Sequence, residues 1–538
     1  MILLLPVGLL LSAALAITIL ERFKPRFGTS WLVASASCII SWLVIFILRL
    51  RLPTTLDVLS WQYLDLNLAG QFSFLLDYDS WPFALALITI TLAVILTDAA
   101  RTRYDSSPRS WSASLLITGL GLLALISGTS LSLMAALVVV DLLELIYLFH
   151  LPDADRFNFH IITGYAVKTA SILCLLTGTA IGWGTSGSFD LTEIPQSAGF
   201  LFLLGAVLRL GVFPLNLPFL NDPELRRGTG NIIRLAPIAV SLSLLARLPV
   251  NLLTDSTLPW LPLINGLLTV SVLYAAIRWV TAEDEINGRP FWILAWAGLA
   301  VFSTLNSAPS ASLAWGLSLL LPGSLLFLYF PRVQRMNFLQ FFGVISLSGL
   351  PLTPSASGWA GLAANGITVW TFLLIIAHAI MVLGYLSRSL KPGGEAGALE
   401  QWSRIVFPLG LIIIIQASVT LGLIGWPGSL TMGVWWMGLG SFLLVSASIY
   451  LVKKYQLTPP YTQVIFESKF ITKIRQITIK LTPIVNLTSM YKLGQTISRL
   501  FAKIIHSISS LLEGEGGILW AVLLLLLLIS VLTGRSIN

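Results

Sequence analysis

The chain has 538 residues, of which 56% are hydrophobic and only 10% charged, and its mean hydropathy is +0.87; a water-soluble domain needs a charged surface that this composition does not supply, so the chain reads as an integral membrane protein. The net charge of +8 does not point to nucleic acid, because the basic residues sit in short loops between apolar runs, where orientation in a lipid bilayer accounts for them. Cys38 and Cys174 lie in apolar stretches and the four histidines are scattered without ligand spacing, so neither a disulfide framework nor a metal or redox centre is indicated and no cofactor is expected.

A spanning helix needs about 20 apolar residues, and by that measure the chain carries about sixteen. In the first half they run over 2–20, 31–50, 82–98, 111–126, 131–149, 160–183, 198–220 and 231–248. The second half adds 261–280, 291–305, 311–330, 338–362, 368–386, 405–424, 432–452 and 518–532. The first run reads as a retained span rather than a cleaved signal, because basic residues follow it and none precedes it. The segment 51–80 alternates apolar and polar residues around Trp61–Gln62–Tyr63–Leu64 and Phe72–Ser73–Phe74–Leu75, which predicts a short β-hairpin over one face.

With the N-terminus outside, the odd-to-even loops should be cytoplasmic and basic. Arg22, Lys24 and Arg26, then Arg101, Arg103 and Arg109, Arg156, Arg226 and Arg227, Arg289, Arg332 and Arg335, Arg388, Lys391 and Arg404, and Lys453 and Lys454 all fall on that side. Both termini are therefore expected outside, and the membrane is expected to be a bacterial plasma membrane.

Two spans are interrupted by proline in similar surroundings: the seventh at Gly211–Val212–Phe213–Pro214 and Pro218, the twelfth at Gly349–Leu350–Pro351 and Pro354. They stand five spans apart. Five is odd, so spans 4–8 and 9–13 would begin on opposite faces, which predicts two inverted five-helix repeats, each with a proline-broken helix, in an all-α polytopic membrane protein. The corresponding segments are 1–110, 111–248, 258–388 and 389–538, the last with a basic amphipathic stretch from Lys453 to Glu513 that Pro483 divides and that suits a cytoplasmic membrane surface. The plainer alternative is that these prolines only kink their helices.

Ionisable residues inside a membrane are costly and are functional candidates by default. Asp141 and Glu144 on the fifth span, Lys168 on the sixth, Arg209 on the seventh and Arg234 on the eighth qualify, all in the first repeat. Asp141 and Glu144, three apart, share a helix face and could meet Lys168 or Arg209. In the second repeat only His378 lies well inside a span. For the first five the alternative is ion pairing that merely joins helices; for His378 it is hydrogen-bonded packing.

From about Phe72 to Tyr385 the chain resembles the antiporter-like membrane subunits of complex I, Mrp-type antiporters and membrane-bound hydrogenases. The motifs are Phe74–Leu75–Leu76–Asp77–Tyr78–Asp79–Ser80 before the third span, Gly205–Ala206–Val207–Leu208–Arg209 through Asn216 in the seventh, Leu244–Leu245–Ala246–Arg247 closing the eighth, and Gly349–Leu350–Pro351–Leu352–Thr353–Pro354 in the twelfth. The resemblance implies proton or cation passage beside homologous membrane subunits, with redox chemistry on other chains, as in an NADH:quinone oxidoreductase-like assembly. The departures are large. The family's seventh-span lysine falls on Arg209 and its histidine on Asn216; its fifth-span glutamate falls on or near Asp141, with Glu144 as the alternative, and its eighth-span polar cluster is represented by Arg234. The eleventh-span histidine and lysine fall within Ser318 to Gly323, and the lysine or glutamate that the family carries just after the twelfth-span break is missing from Ala356 to Leu362. The resemblance thus implies a first half-channel at most, with a non-conducting spacer subunit or a stand-alone ion- or bicarbonate-linked transporter as alternatives. No nucleophile–base constellation supports catalysis by this chain.

Overall fold

The computed structural model describes residues 2–23, 27–60, 71–101, 107–150, 154–213, 215, 217–219, 225, 227–252, 258–330, 336–390, 402–430 and 434–454. Among them the chain forms sixteen α-helices and one two-stranded sheet. The helices are α1 (Leu5–Phe23), α2 (Phe27–Leu48), α3 (Trp81–Asp98), α4 (Pro108–Leu125), α5 (Ser130–Phe149), α6 (Ala154–Ser186), α7 (Gln196–Arg209) and α8 (Thr229–Ala246). They continue with α9 (Leu261–Thr281), α10 (Glu285–Leu305), α11 (Pro309–Leu328), α12 (Asn337–Leu347), α13 (Gly358–Leu362), α14 (Val369–Ser389), α15 (Ser403–Ile424) and α16 (Trp435–Lys454). Each of the first fifteen expected spans meets a helix, the twelfth as the pair α12 and α13. The sixteenth span and the amphipathic stretch beyond Lys454 lie outside the described residues.

Ten of these helices are long and apolar enough to cross a membrane, and three shorter apolar ones join them. The chain is an integral, multi-pass membrane protein. Its helices begin where local chemistry satisfies their free N–H groups. Ser107 with Ser110, Thr129 with Ser132 and Thr368 with Thr371 form reciprocal caps at the starts of α4, α5 and α14, while α9 and α11 carry proline in their first turn, where its missing donor costs nothing.

Apolarity on all sides lets a helix sit wholly inside. Thus α8 is buried at every residue, α11 at all but Ser310 and α3 at all but Leu96, and these three pack on one another. Around them the neighbour order repeats. In the first set α4 packs on α5, α5 on α6, α6 on α7, α7 on α8 and α8 back on α4. In the second the same ring runs α9, α10, α11, α12, α14 and back to α9.

The two breaks share a design. α7 ends at Arg209 and Gly211 follows with φ 67°; α12 ends at Leu347 and Gly349 follows with φ 70°. Both glycines turn the chain through the left-handed region that side chains disfavour. Pro351 and Pro354 lie in the turns that separate α12 from α13, and Pro218 lies in a short 3₁₀ turn, Leu217–Phe219. Pro214 and Asn216 lie outside the described residues.

The expected hairpin exists, but its strands are β1 (Thr54–Ser60) and β2 (Gln71–Leu76), paired antiparallel with an irregularity between Asp57 and Leu59. The stretch from Trp61 to Leu68, expected to belong to it, lies outside the described residues. Leu75 N–H donates to the Ile126 carbonyl (2.6 Å) and Gly128 N–H to that of Ser73 (2.9 Å), so β2 is stitched to the α4–α5 turn and closes that end of the first ring. Two helices start six residues earlier than expected. α6 starts at Ala154 rather than residue 160, and α10 at Glu285 rather than 291, because Asp284 caps it by accepting from Asn287 N–H (2.7 Å).

A Cβ at Gly349 would stand 2.1 Å from the Trp359 Nε1, and a non-glycine residue held at such a φ costs about 1–3 kcal/mol. Gly349→Ala should therefore lower the thermal unfolding midpoint in detergent by several degrees, whereas Gly440→Ala, with open space around it, should not. Equal midpoints for the two variants would show that this glycine does not fix the break.

Candidate functional site

Five of the six ionisable candidates meet in one buried cluster inside the first ring. Asp141 and Glu144 lie one turn apart on α5 and present their carboxylates to three helices. Arg209, the last residue of α7, donates from Nη1 and Nη2 to the two oxygens of Asp141 at 2.8 and 2.6 Å. Glu144 bridges: its Oε2 accepts from the Lys168 ammonium on α6 and its Oε1 from Arg234 Nη1 on α8 at 2.6 Å. No member is more than 5% exposed, so each charge depends on its partners rather than on water.

The arrangement is more specific than the spacing required. The shared face of Asp141 and Glu144 left both Lys168 and Arg209 as possible partners; the structure gives each carboxylate its own. Among the described residues two carboxylates face three cations, which leaves one surplus positive charge when these five are ionised. Both arginines stay protonated in proteins. Lys168 is therefore the cation whose proton release would make the cluster neutral. Beside it lies a cavity of about 10 Å³ lined by Asp141, Glu144, Tyr165, Lys168 and Pro218 among others, room for about one water. Pro218, from the seventh-span break, thus borders the cluster.

His378 does not join them. Its Nδ1 is 2.7 Å from the Ser441 hydroxyl, and its ring packs against Trp296, Trp315 and Trp359 with centroids 5.3, 5.9 and 4.8 Å away. These rings belong to an unbroken run in which Trp279 meets Trp292 (5.1 Å), Trp292 meets Trp296 (5.3 Å), Trp296 meets Trp315 (5.8 Å) and Trp315 meets Trp359 (5.2 Å). All five tryptophans are fully buried. A Cβ at Gly323 would lie 2.5 Å from Trp292 Nε1; indole fills the place where the family resemblance would put a lysine. Pro351 and Pro354 bring no ionisable group to this region.

Two further polar clusters lie outside the candidate residues. Arg289, expected in a loop, lies fully buried in α10 and donates to Asn231 Oδ1 on α8 at 2.8 Å, while Arg227 pairs with Glu285 at 2.5 Å and Asp98 accepts from Trp111 Nε1 at 3.2 Å. The Asp284 cap was the signal that could have drawn α10 back over Arg289. At the hairpin end, Asp77 pairs with Arg247 (3.0 Å) and accepts from the Ser80 N–H and hydroxyl, both at 2.8 Å. Burial opposes the Asp77 charge, but Arg247 and these hydrogen bonds outweigh it and hold the carboxyl below its ordinary range. Asp79 goes the other way: burial and then the Asp77 charge push it up to about 6 against the pull of Arg247. Among the described residues no group of three or more His, Cys, Asp or Glu could hold a metal ion.

No family model matches the sequence, and no curated protein matches it. Solved structures do. A chain of the Mrp complex from Dietzia sp. DQ12-45-1b superposes with TM-score 0.68 at 15% identity, over 100% of this chain and 63% of that one, so the present chain spans under two thirds of its length. A chain of the membrane-bound sulfane sulfur reductase, an archaeal respiratory membrane complex, gives 0.60 at 14% identity, covering 98% and 100%. A chain of respiratory complex I from Thermus thermophilus gives 0.63 at 18% identity, covering 82% and 99%. The chain has the fold of the antiporter-like membrane subunits.

Removing one partner from a buried ion pair costs about 3–5 kcal/mol, so Glu144→Gln, which strands Lys168 and takes one carboxylate from Arg234, should lower the unfolding midpoint sharply. Glu144→Gln combined with Lys168→Met removes one stranded charge and should recover part of that loss. Strict additivity of the two single effects would show that the groups are not coupled.

Proposed function

We propose that the chain is a non-redox membrane subunit of an assembly similar to complex I or the Mrp antiporters, and that proton or cation passage runs only through its first five-helix unit, residues 111–248. The observation that carries this reading is the contrast between the two rings. The first holds a cluster of five buried charges with a titratable lysine beside a water-sized cavity; at its middle the second, residues 258–388, holds indole rings around one histidine, and its buried Glu285, Arg289 and Arg388 lie near helix ends. In this reading Lys168 supplies from α6 the proton-exchanging ammonium that Arg209 cannot supply from α7. Asp141 holds Arg209 in place, and Glu144 with Arg234 sets the field that the Lys168 proton meets.

One observation favours a second reading, a non-conducting spacer: both carboxylates are closely paired, and pairing of this kind also joins helices. The two readings part in one experiment. The assembly is purified through a tag on this chain and reconstituted in liposomes, and proton uptake is followed with a pH-sensitive dye. Lys168→Met should cut uptake by about ten-fold or more, a loss typical of removing a proton-transfer group, with the assembly still intact by size; His378→Leu should leave it unchanged. Unaltered uptake in an intact Lys168→Met assembly would sink the conducting reading and leave the spacer.

The one-sided placement of Lys and Arg supports both ends lying outside a bacterial plasma membrane. A protease-sensitive tag at either terminus should then be cut in intact spheroplasts, and protection of both tags would reverse the orientation.

A further inference from the structure

The hairpin end of the bundle carries a feature that ion passage does not use. Arg49, just past the end of α2, reaches across to the end of α15 and donates from Nε and Nη2 to the Ile424 carbonyl at 3.1 and 2.7 Å. Its guanidinium lies over the rings of Tyr78 and Trp81, 4.9 and 5.1 Å from their centroids. Among the described residues no carboxylate pairs with it. Beside it opens a pocket of about 470 Å³, walled by Arg49, Leu423, Ile424, Trp426 and the turn Pro427 to Leu430, within the size range of small-ligand sites.

The apolar lining residues Leu423, Ile424 and Leu430 are exposed, as are Ile47 and Leu50 on either side of Arg49 in the chain. At a helix end of a membrane protein such a surface faces acyl chains, and tyrosine and tryptophan gather at the level of the headgroups. An unpaired guanidinium held there by a carbonyl and two rings offers its remaining N–H groups to an anion with two oxygens in its own plane, which phosphate provides. Free phosphate would leave the apolar rim uncovered. A phospholipid covers both.

We propose that the pocket between the ends of α2 and α15 binds one anionic phospholipid, with its phosphate on Arg49 and its acyl chains along the exposed ends of α2 and α15. The lipid would close the cleft between these two helices at the hairpin end.

The test is native mass spectrometry of the full-length chain released from mixed micelles that contain phosphatidylglycerol and phosphatidylcholine in equal amounts. The wild type should retain phosphatidylglycerol about ten-fold over phosphatidylcholine, whose phosphate is the same but whose trimethylammonium would stand against the guanidinium charge, and excess inorganic phosphate should not displace it. Arg49→Gln should abolish the preference. Leu423→Trp keeps Arg49 and fills the pocket from an exposed position, so it should lower retention of both lipids even if Arg49→Gln fails to fold. Equal retention of the two lipids by the wild type, displacement by inorganic phosphate, or unchanged retention in Leu423→Trp would each overturn the proposal.

Discussion

A charge inside a bilayer-embedded protein persists only where neighbours replace the water it has lost, and in this chain one glutamate answers for two cations. Glu144 holds Lys168 with one oxygen and Arg234 with the other, so α5, α6 and α8 cannot be rearranged without uncovering charge. Asp141 adds α7 through Arg209. The first ring is thereby closed by electrostatics as well as by packing, and the wholly buried α8 carries the closure into the centre of the bundle. On the same helix Asn231 receives Arg289 from α10, so α8 also ties the first ring to the second.

The second ring fills the middle of its interior with uncharged rings and keeps its buried charges, Glu285, Arg289 and Arg388, near the ends of α10 and α14. Its tryptophans fill space with rings whose N–H groups can be spent on backbone: Trp292 donates to the Leu319 carbonyl at 3.0 Å and Trp279 to that of Met381 at 3.2 Å. Such a core is densely packed. The fold is kept while the contents differ, as expected when function is carried by a site and not by the architecture that holds it.

Much of this was legible in the sequence because apolar run length is a strong signal. The spans, the paired breaks at Gly211 and Gly349, and the five charges in the first ring each stood out against a background that was almost entirely apolar. Pairing was less legible. Whether Asp141 faces Lys168 or Arg209 depends on the rotation of α6 and α7 about their axes, which spacing within α5 does not encode. Arg289 falls in a loop when the tenth span is counted from Phe291; Asn231, far away in the chain, is one of the groups that let it lie inside. The tryptophan run was hidden for a similar reason. Its members come from α9, α10, α11 and α13, and each alone is an ordinary core residue.

The end of α7 bears on the uneven charge count of the cluster. Every peptide unit in a helix points its carbonyl toward the C-terminus, and the aligned dipoles amount to roughly half a negative charge there. Because the chain breaks at this depth rather than continuing, α7 delivers that partial charge at Arg209 itself, its final residue. The backbone thus acts as a fraction of a carboxylate beside the guanidinium, offsetting part of the positive surplus left by three cations and two acids among the described residues. Straightening the helix through the break would carry the dipole's end away from the cluster and leave that surplus bare.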